Sequence, residues 1–466
     1  MKVVRSVLAV VLICFLAVFT LWRYETLTPL TTFVDTLIEN LDSRIVQLME
    51  VFSPAIGDED NVDDEGADDA GRPVDPDSNF SDYNPQAPVD AALEEAMLTG
   101  LLAMQSDINL QAYGITSKEL GVAMANIVYS TPELFYLSAS YSYSSDDGGH
   151  IVMLRPSYRC TADEVAKMRA EYDAVLAEIV ANAPTTGSDF QKILYLHDYF
   201  VRNYSYDKTL TIRDAHTFFT KKTGVCQAYM LGLIAAAEAL GLESLPVTSD
   251  EMRHAWNLVQ VDGSWYHVDV TWDDTDSLPT RMSYRYFLQS DTGLAAIDAG
   301  NSASDRHYAW TSALPATNPK YDAALFRDAN TGIVTYGDKY YVAVKDDAVT
   351  DNTVRGTIYY GTDPTALEKF SDITGGMFAA GVGKYYTDCF SDLMLGGSVL
   401  YYHSGNSVGY VDLSAQRPQY RVIFADGLTT GESIYGFLGK TDNILTVVVA
   451  TAPNADTYRT LEISIP

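Results

Sequence analysis

The chain has 466 residues, 47% of them hydrophobic, which exceeds one ordinary core and suits two or three domains with connectors. Lys and Arg total 31 against 62 Asp and Glu, a formal charge of -31, which excludes a nucleic acid partner because phosphate binding needs a basic surface. With 4 cysteines and no CxxC pair, a disulfide-stapled scaffold and a zinc or dithiol motif are excluded as well.

Lys2 and Arg5 precede an unbroken apolar run from Val7 to Trp22 that Arg23 ends. This predicts a signal anchor over 1–24 with its positive end in the cytoplasm, a cleaved signal peptide being the alternative. An amphipathic stretch covers 25–56. From Gly57 to Asp82 the chain carries 11 acids and a single base, Arg72, with almost no large apolar side chains, and Pro73, Pro76, Pro85 and Pro88 punctuate this segment and the residues just after it. Such a segment cannot offset its ordering entropy by burial, and like charges extend it. Residues 57–90 therefore read as an acidic disordered linker between membrane and ectodomain. EF-hand spacing is absent from it.

Residues 91–320 form the next domain. Helical periodicity runs through Met97, Leu98, Leu101, Leu102, Leu120, Met124, Ile127 and Val128, and Thr131-Pro132 breaks it. Tyr141 and Tyr143, then Ile151 to Leu154, predict two strands joined by the Asp146-Asp147-Gly148-Gly149 turn. Thr161 with Glu164 makes a capping box opening a helix toward Ala181, and a further helix spans Asp189 to Asn203. Cys226 to Leu240 is rich in helix formers and is closed by Gly241 at C′, which places Cys226 in the first turn. His254 to Val261 and Ser264 to Thr271 are β-rich and flank Asp262-Gly263, a type I′ hairpin signal. From Tyr321 onward short Tyr- and Val-rich runs alternate with Gly, Asp and Asn turns, which predicts an all-β module over 321–466 with no clean repeat.

The chemistry centres on Cys226. A thiol attacks only as thiolate, and a helix N-terminus and a histidine that takes the proton both favour that anion. Among the seven histidines, the hairpin points to His254. With Asp262 and Gly263 as loop residues, Val261 pairs with Ser264 and Trp256 with Asp269, so His254 and Asp269 become diagonal neighbours about 7 to 8 Å apart. A shift of one residue would part them. His267 shares a face with Asp269 but runs alongside it on one strand, a poor geometry for a hydrogen bond. His197, beside Asp198 on a helix, reads as capping or packing, and His216 as a loop residue before Cys226. A buried inert thiol is the alternative for Cys226.

Gly224-Val225-Cys226-Gln227-Ala228-Tyr229, then His254-Ala255-Trp256-Asn257, then Trp265-Tyr266-His267-Val268-Asp269-Val270-Thr271-Trp272-Asp273 resemble the three motifs of the transglutaminase-like superfamily, in that order. The likeness covers 189–276. Pro132-Glu133-Leu134-Phe135-Tyr136 and His307-Tyr308-Ala309-Trp310 are similar to flanks of bacterial members. The resemblance implies an α+β, papain-like core in which the Cys226 helix packs on an antiparallel sheet. It also implies Cys226 as nucleophile, His254 as general base and then acid, and Asp269 as the carboxylate orienting the imidazole. No cofactor is called for. The expected activity is an extracytoplasmic, membrane-anchored thiol acyltransferase acting on glutamine or peptide carbonyls of a protein or peptide substrate. A cysteine peptidase or amidase acting on cell-wall peptides, and a non-catalytic surface binding protein with sugar-stacking tyrosines, are the alternatives.

Overall fold

The structure, a computed structural model, describes residues 80–465 except 275–277, 279, 298, 300–305, 330, 346–354, 375–377, 380–384, 387–391, 416–418, 453–454 and 456. The expected signal anchor, the amphipathic stretch and most of the acidic linker lie outside the described residues. Among the described residues no helix is long and apolar enough to cross a membrane. All of them belong to one compact unit.

The linker does not reach residue 90 as expected. Phe80 and Tyr83 are buried, with both rings against Tyr129 at centroid distances of 5.2 and 5.8 Å. The Phe80 amide donates to Asp250 and the Tyr83 hydroxyl to the Pro246 carbonyl. The two aromatic rings supply the burial that the acidic stretch before them lacks, so order begins there.

Helix α1 (Ala91–Leu102), the short strand β1 (Ile108–Asn109) and helix α2 (Ser117–Ser130) occupy the region of helical periodicity. Strands β2 (Leu137–Ser145) and β3 (Ile151–Tyr158) form the expected hairpin, and β1 pairs on the far edge of β3. In the turn, the Asp146 side chain accepts the amides of Gly148 and His150. Helix α3 (Ala162–Ala181) carries both bonds of the Thr161/Glu164 capping box, and α4 (Asp189–Asn203) follows.

Strand β4 (Ser205–Tyr206), helix α5 (Ala215–Lys221) and strand β5 (Thr223–Gly224) lead into α6 (Cys226–Ala239). His216 therefore lies on a helix and not in the expected loop; Asp214 caps that helix by accepting the Thr217 amide. In α6, Cys226 and every residue from Ala228 to Ala237 are buried. Helices α3, α4 and α5 pack around α6, and β6 (Ser244–Ser249) and β7 (His254–Val261) close its remaining side. A helix enclosed by its neighbours needs no polar stripe, which is why this one carries no charged residue from Ala228 to Ala237. Strand β8 (Ser264–Val268), the one-turn helix α7 (Val270–Asp273), strand β9 (Phe287–Gln289), helix α8 (Asp291–Ile297) and strand β10 (Thr311–Ser312) complete an antiparallel sheet in the order β10-β6-β7-β8-β9. The expected α+β arrangement, a Cys-bearing helix on an antiparallel sheet, is present.

The rest is all β, as read from the sequence. Strands β11 (Val334–Tyr336), β12 (Lys339–Lys345), β13 (Arg355–Gly361) and β14 (Glu368–Thr374) form one sheet, and β15 (Phe378–Ala379) pairs with β16 (Tyr385–Tyr386). Strands β17 (Leu393–Gly396), β18 (Val399–His403), β19 (Ser407–Asp412) and β20 (Arg421–Phe424) form a second sheet, and β21 (Ser433–Thr441), β22 (Ile444–Ala450) and β23 (Arg459–Ser464) a third. The chain does not divide cleanly at residue 321. Tyr321 and Phe326 sit in the same apolar core as α6, 5.5 and 6.0 Å from the Phe190 ring of α4. Strand β12 points Tyr340 and Val342 into that core and Tyr341 and Ala343 into the core between the β sheets. The two-residue side-chain period of a strand thus joins two cores along one segment.

Candidate active site

The position of Cys226 is prepared by the loop before it. The Asp207 carboxylate accepts the amides of Thr209, Thr211 and Ile212, which curls 207–212 tightly. The Ile212 carbonyl then takes the Val225 amide at 2.9 Å. Gly224 is needed here: a Cβ on it would come within 2.6 Å of Ala228 Cβ and 2.8 Å of the Phe218 ring. Val225 stands at the N-cap of α6 in extended conformation and offers no side-chain cap, and the first turn holds no acid. The helix therefore begins with amides that no side chain covers, at the residue that carries the thiol. At its other end Gly241, at φ 73°, and Leu242 close a Schellman motif on Glu238 and Ala237, as the C′ glycine predicts.

The hairpin register is the one expected. Asp262 and Gly263 have φ of 51° and 77°, a type I′ turn, and Val261 pairs with Ser264, Leu258 with His267 and Asn257 with Val268. The ladder stops there, so the expected strand to Thr271 is cut short. Asp269 leaves the sheet and becomes the N-cap of α7, its Oδ1 accepting the Trp272 amide at 3.1 Å. Its Oδ2 meets His254 Nε2 at 2.6 Å. The two residues come together as expected, but through a helix cap and not as a diagonal pair on the sheet. An aspartate three residues before an available amide is a strong cap, and that bond displaces the strand.

Cys226 and His254 are wholly buried and Asp269 is 1% exposed. Burial pulls the His254 pKa down, but the Asp269 charge, its hydrogen bond and the Cys226 thiol outweigh that and lift it to about 9. Asp269, although burial pushes the other way, is held well below the usual carboxylate range by the His254 charge and by the bonds from His254 and His307. The second ring nitrogen of His254, Nδ1, has no oxygen or nitrogen partner and is the atom left to face Cys226, whose thiol interacts with the ring. The imidazole lies between Trp256 and Trp272, both at an interplanar angle of 22°. Arg253, immediately before it, is in the left-handed region at φ 53°.

The other histidines are occupied. The Trp256 indole N–H donates to His267 Nδ1 at 3.0 Å, and His267 Nε2 lies 2.8 Å from Asp291. Burial pushes the His267 pKa down, so it is a neutral ring with both nitrogens engaged. His197 lies between Asp198 and Asp273, and His216 Nε2 bonds Glu171. Cys160 is half-buried with its thiol on Met168, while Cys389 lies outside the described residues.

His307 was expected only as part of a flank. Its Nε2 lies 2.9 Å from Asp269 Oδ2. The donor atoms of His254, Asp269 and His307 fall within 4.8 Å of one another, a spacing a cation could share. The two N···O separations are hydrogen-bond lengths and the second Asp269 oxygen is engaged by an amide, so the cluster reads as one that shares protons. No local pattern around His307 signals this contact, since it is made across 38 residues of chain.

The model of the transglutaminase-like superfamily matches residues 173–270. Those residues form a transglutaminase-like core. The matched stretch contains Cys226, His254 and Asp269 and stops short of His307. Among solved structures, the chain is similar to a candidate cysteine protease from Cytophaga hutchinsonii, with 15% identity and a TM-score of 0.20 over 28% of this chain and 61% of that one. It is similar to a TGase to the same degree, 15% identity and TM-score 0.20, over 29% of this chain and 45% of that one. The chain thus spans less than two thirds of either neighbour. No curated protein matches it.

Proposed function

We propose that this protein is a thiol acyltransferase working through a Cys226 thioester. The observation that carries the reading is the buried His254 ring, tied to Asp269 by one nitrogen, with the other left without a hydrogen bond and the Cys226 thiol acting on the ring. His254 takes the Cys226 proton, and Sγ bonds to the carbon of a glutamine carboxamide or peptide carbonyl. The C–N bond then breaks, ammonia or the amine leaves with the proton that His254 returns, and a thioester remains. A second amine, or water, attacks the thioester and restores the thiol. The uncapped amides opening α6 are suited to the oxyanion of both tetrahedral steps, because a helix N-terminus favours negative charge.

A site with no exposed thiol or imidazole keeps bulk water from the acyl-enzyme, which favours transfer to an amine over hydrolysis. The substrate is a protein or peptide. Placement outside the cytoplasm on a membrane anchor rests on the apolar run from Val7 to Trp22. Incorporation of a fluorescent amine into a glutamine peptide, run beside release of peptide fragments, tests the reading for the parent and Cys226→Ala. Incorporation lost in the variant is the expected result. Cleavage without incorporation would make the protein a peptidase. Neither activity, with Cys226 alkylated by iodoacetamide no faster than Cys160, would end the enzymatic reading.

A further inference from the structure

Asp269 is held by more than the proposed mechanism uses. Its Oδ1 accepts the Trp272 amide, and its Oδ2 lies within hydrogen-bond distance of two imidazole nitrogens, His254 Nε2 at 2.6 Å and His307 Nε2 at 2.9 Å. An ionised carboxylate only accepts, so both bonds form together only if each ring carries its proton on Nε2. For His254 that tautomer leaves the lone pair on Nδ1, the nitrogen that makes no other hydrogen bond and so is left for the Cys226 thiol that acts on the ring. Without a second donor on Oδ2, only the Trp272 amide and His254 itself set the carboxylate's terminal torsion, which is broad and soft, so the carboxylate and the His254 ring can tilt together.

His307 is itself braced. Its side chain is wholly buried, with ring centroids at 4.2 Å from Trp272, 4.8 Å from Trp256 and 4.9 Å from Tyr286. Trp272 is thus packed on both imidazoles, 4.8 Å from His254 on its other contact, while its amide holds the carboxylate between them. The residues after His307 fit it to this place: Ala309 is in the left-handed region at φ 48°, and Trp310 packs on Trp256 and His267.

We propose that His307 is a positioning residue of this site, which fixes the plane of the Asp269 carboxylate and so keeps the His254 Nδ1 lone pair directed at Cys226. The inference rests on the acyl-transfer reading above. Among the described residues the titratable groups facing this cluster include Cys226 from α6, His254 from β7, Asp269 from the cap of α7, His267, with its Asp291, from β8 and α8, Tyr286 against His307, and Tyr129 of α2 beside Cys226.

The test compares iodoacetamide alkylation of Cys226 across pH in the full chain with His307→Phe and His307→Gln, alongside turnover. Phenylalanine keeps the aromatic packing and removes the donor; glutamine keeps an N–H. Expected for His307→Phe is a 10- to 100-fold fall in kcat with KM unchanged, the size seen when a partner of an active-site ligand is lost. The alkylation rise should move to higher pH by about one unit, because a misaligned carboxylate stabilises the imidazolium less. His307→Gln should recover part of both. A folded His307→Phe chain with the parent's rate and pH profile would overturn the role, leaving His307 as packing. If the parent thiol itself reacts no faster than in His254→Ala, the underlying acyl-transfer reading has failed, a different outcome from the first. The unsubstituted chain gives an independent test that needs no variant to fold: in histidine-labelled protein held above the His254 pKa of about 9, nitrogen NMR should find His254 and His307 both as Nε2–H tautomers. An Nδ1–H tautomer at His307 would overturn the proposal.

Discussion

His254 and His197 are both wholly buried imidazoles beside carboxylates, and at both the carboxylates lift the pKa to about 9 against the downward pull of burial. Their valences differ. His197 bonds Asp198 of its own helix through Nδ1 and Asp273 through Nε2, so both nitrogens are spent, the second on holding α4 to α7. Asp273 in turn accepts the Ser283 hydroxyl and the Tyr286 amide, which steadies the helix whose N-cap is Asp269. His254 spends one nitrogen on Asp269 and keeps the other for a thiol. Basicity alone therefore does not separate the two rings. The nitrogen that His254 leaves for the Cys226 thiol does.

The sharpest way to break this comparison is to substitute one carboxylate at a time. Asp269→Asn should fold normally and lower turnover by roughly 10³- to 10⁴-fold, since an amide favours the wrong tautomer and cannot stabilise the imidazolium. Full activity in that variant would remove Asp269 from the site. His197→Leu should do the reverse. It leaves Asp273 buried without its cationic partner, at a cost of about 3–5 kcal/mol in a urea titration. Cys226 in the fraction still folded should alkylate within a few-fold of the parent rate. A large loss of alkylation at unchanged stability would mean that His197 takes part in the chemistry.

A smaller effect separates these two from a third buried histidine. His197 and His254 have folded pKa values above the unfolded 6.5, so the stability they contribute is complete below about pH 6.5 and is lost as pH rises to about 9. At His403 burial takes the pKa down to about 4, although the Ser404 carbonyl opposes this. Its folded form therefore resists the proton, and its contribution is lost as pH falls from about 6.5 through 4. Denaturation midpoints should peak between these limbs. His197→Leu should flatten the alkaline limb and His403→Phe the acid one, and an unchanged alkaline limb in the first variant would contradict the paired state of His197.

Much of the site was legible because its signals are local. The Asp262-Gly263 turn sets the hairpin register, and the run from Cys226 to Gly241 sets where α6 starts and stops. What was missed depends on competition or distance. Asp269 had two local options, a strand position or a helix cap, and the amide of Trp272 decided between them. His216 reads as a loop residue in the sequence because a helix of seven residues, Ala215–Lys221, carries little periodicity. The linker's end was placed too late because Phe80 and Tyr83 find their partners Asp250 and Pro246 more than 160 residues away.

The boundary at Tyr321 shows the same limit. Alternation in β12 announces a strand with two different faces, but not that Tyr340 would reach Phe190 while Tyr341 reaches the β sheets. By itself, then, the sequence determined the order of elements, the turn that aligns His254 with the next strand, and the placing of the only thiol among the three motifs at the first turn of a helix, all through bonds and sterics within a few residues. Only the tertiary structure decided that His254 has a nitrogen to spare and His197 has none, and that two imidazoles share one oxygen of Asp269. Those are matters of which atoms face one another inside a closed core, where every buried donor and acceptor must find its partner from wherever in the chain one can be supplied.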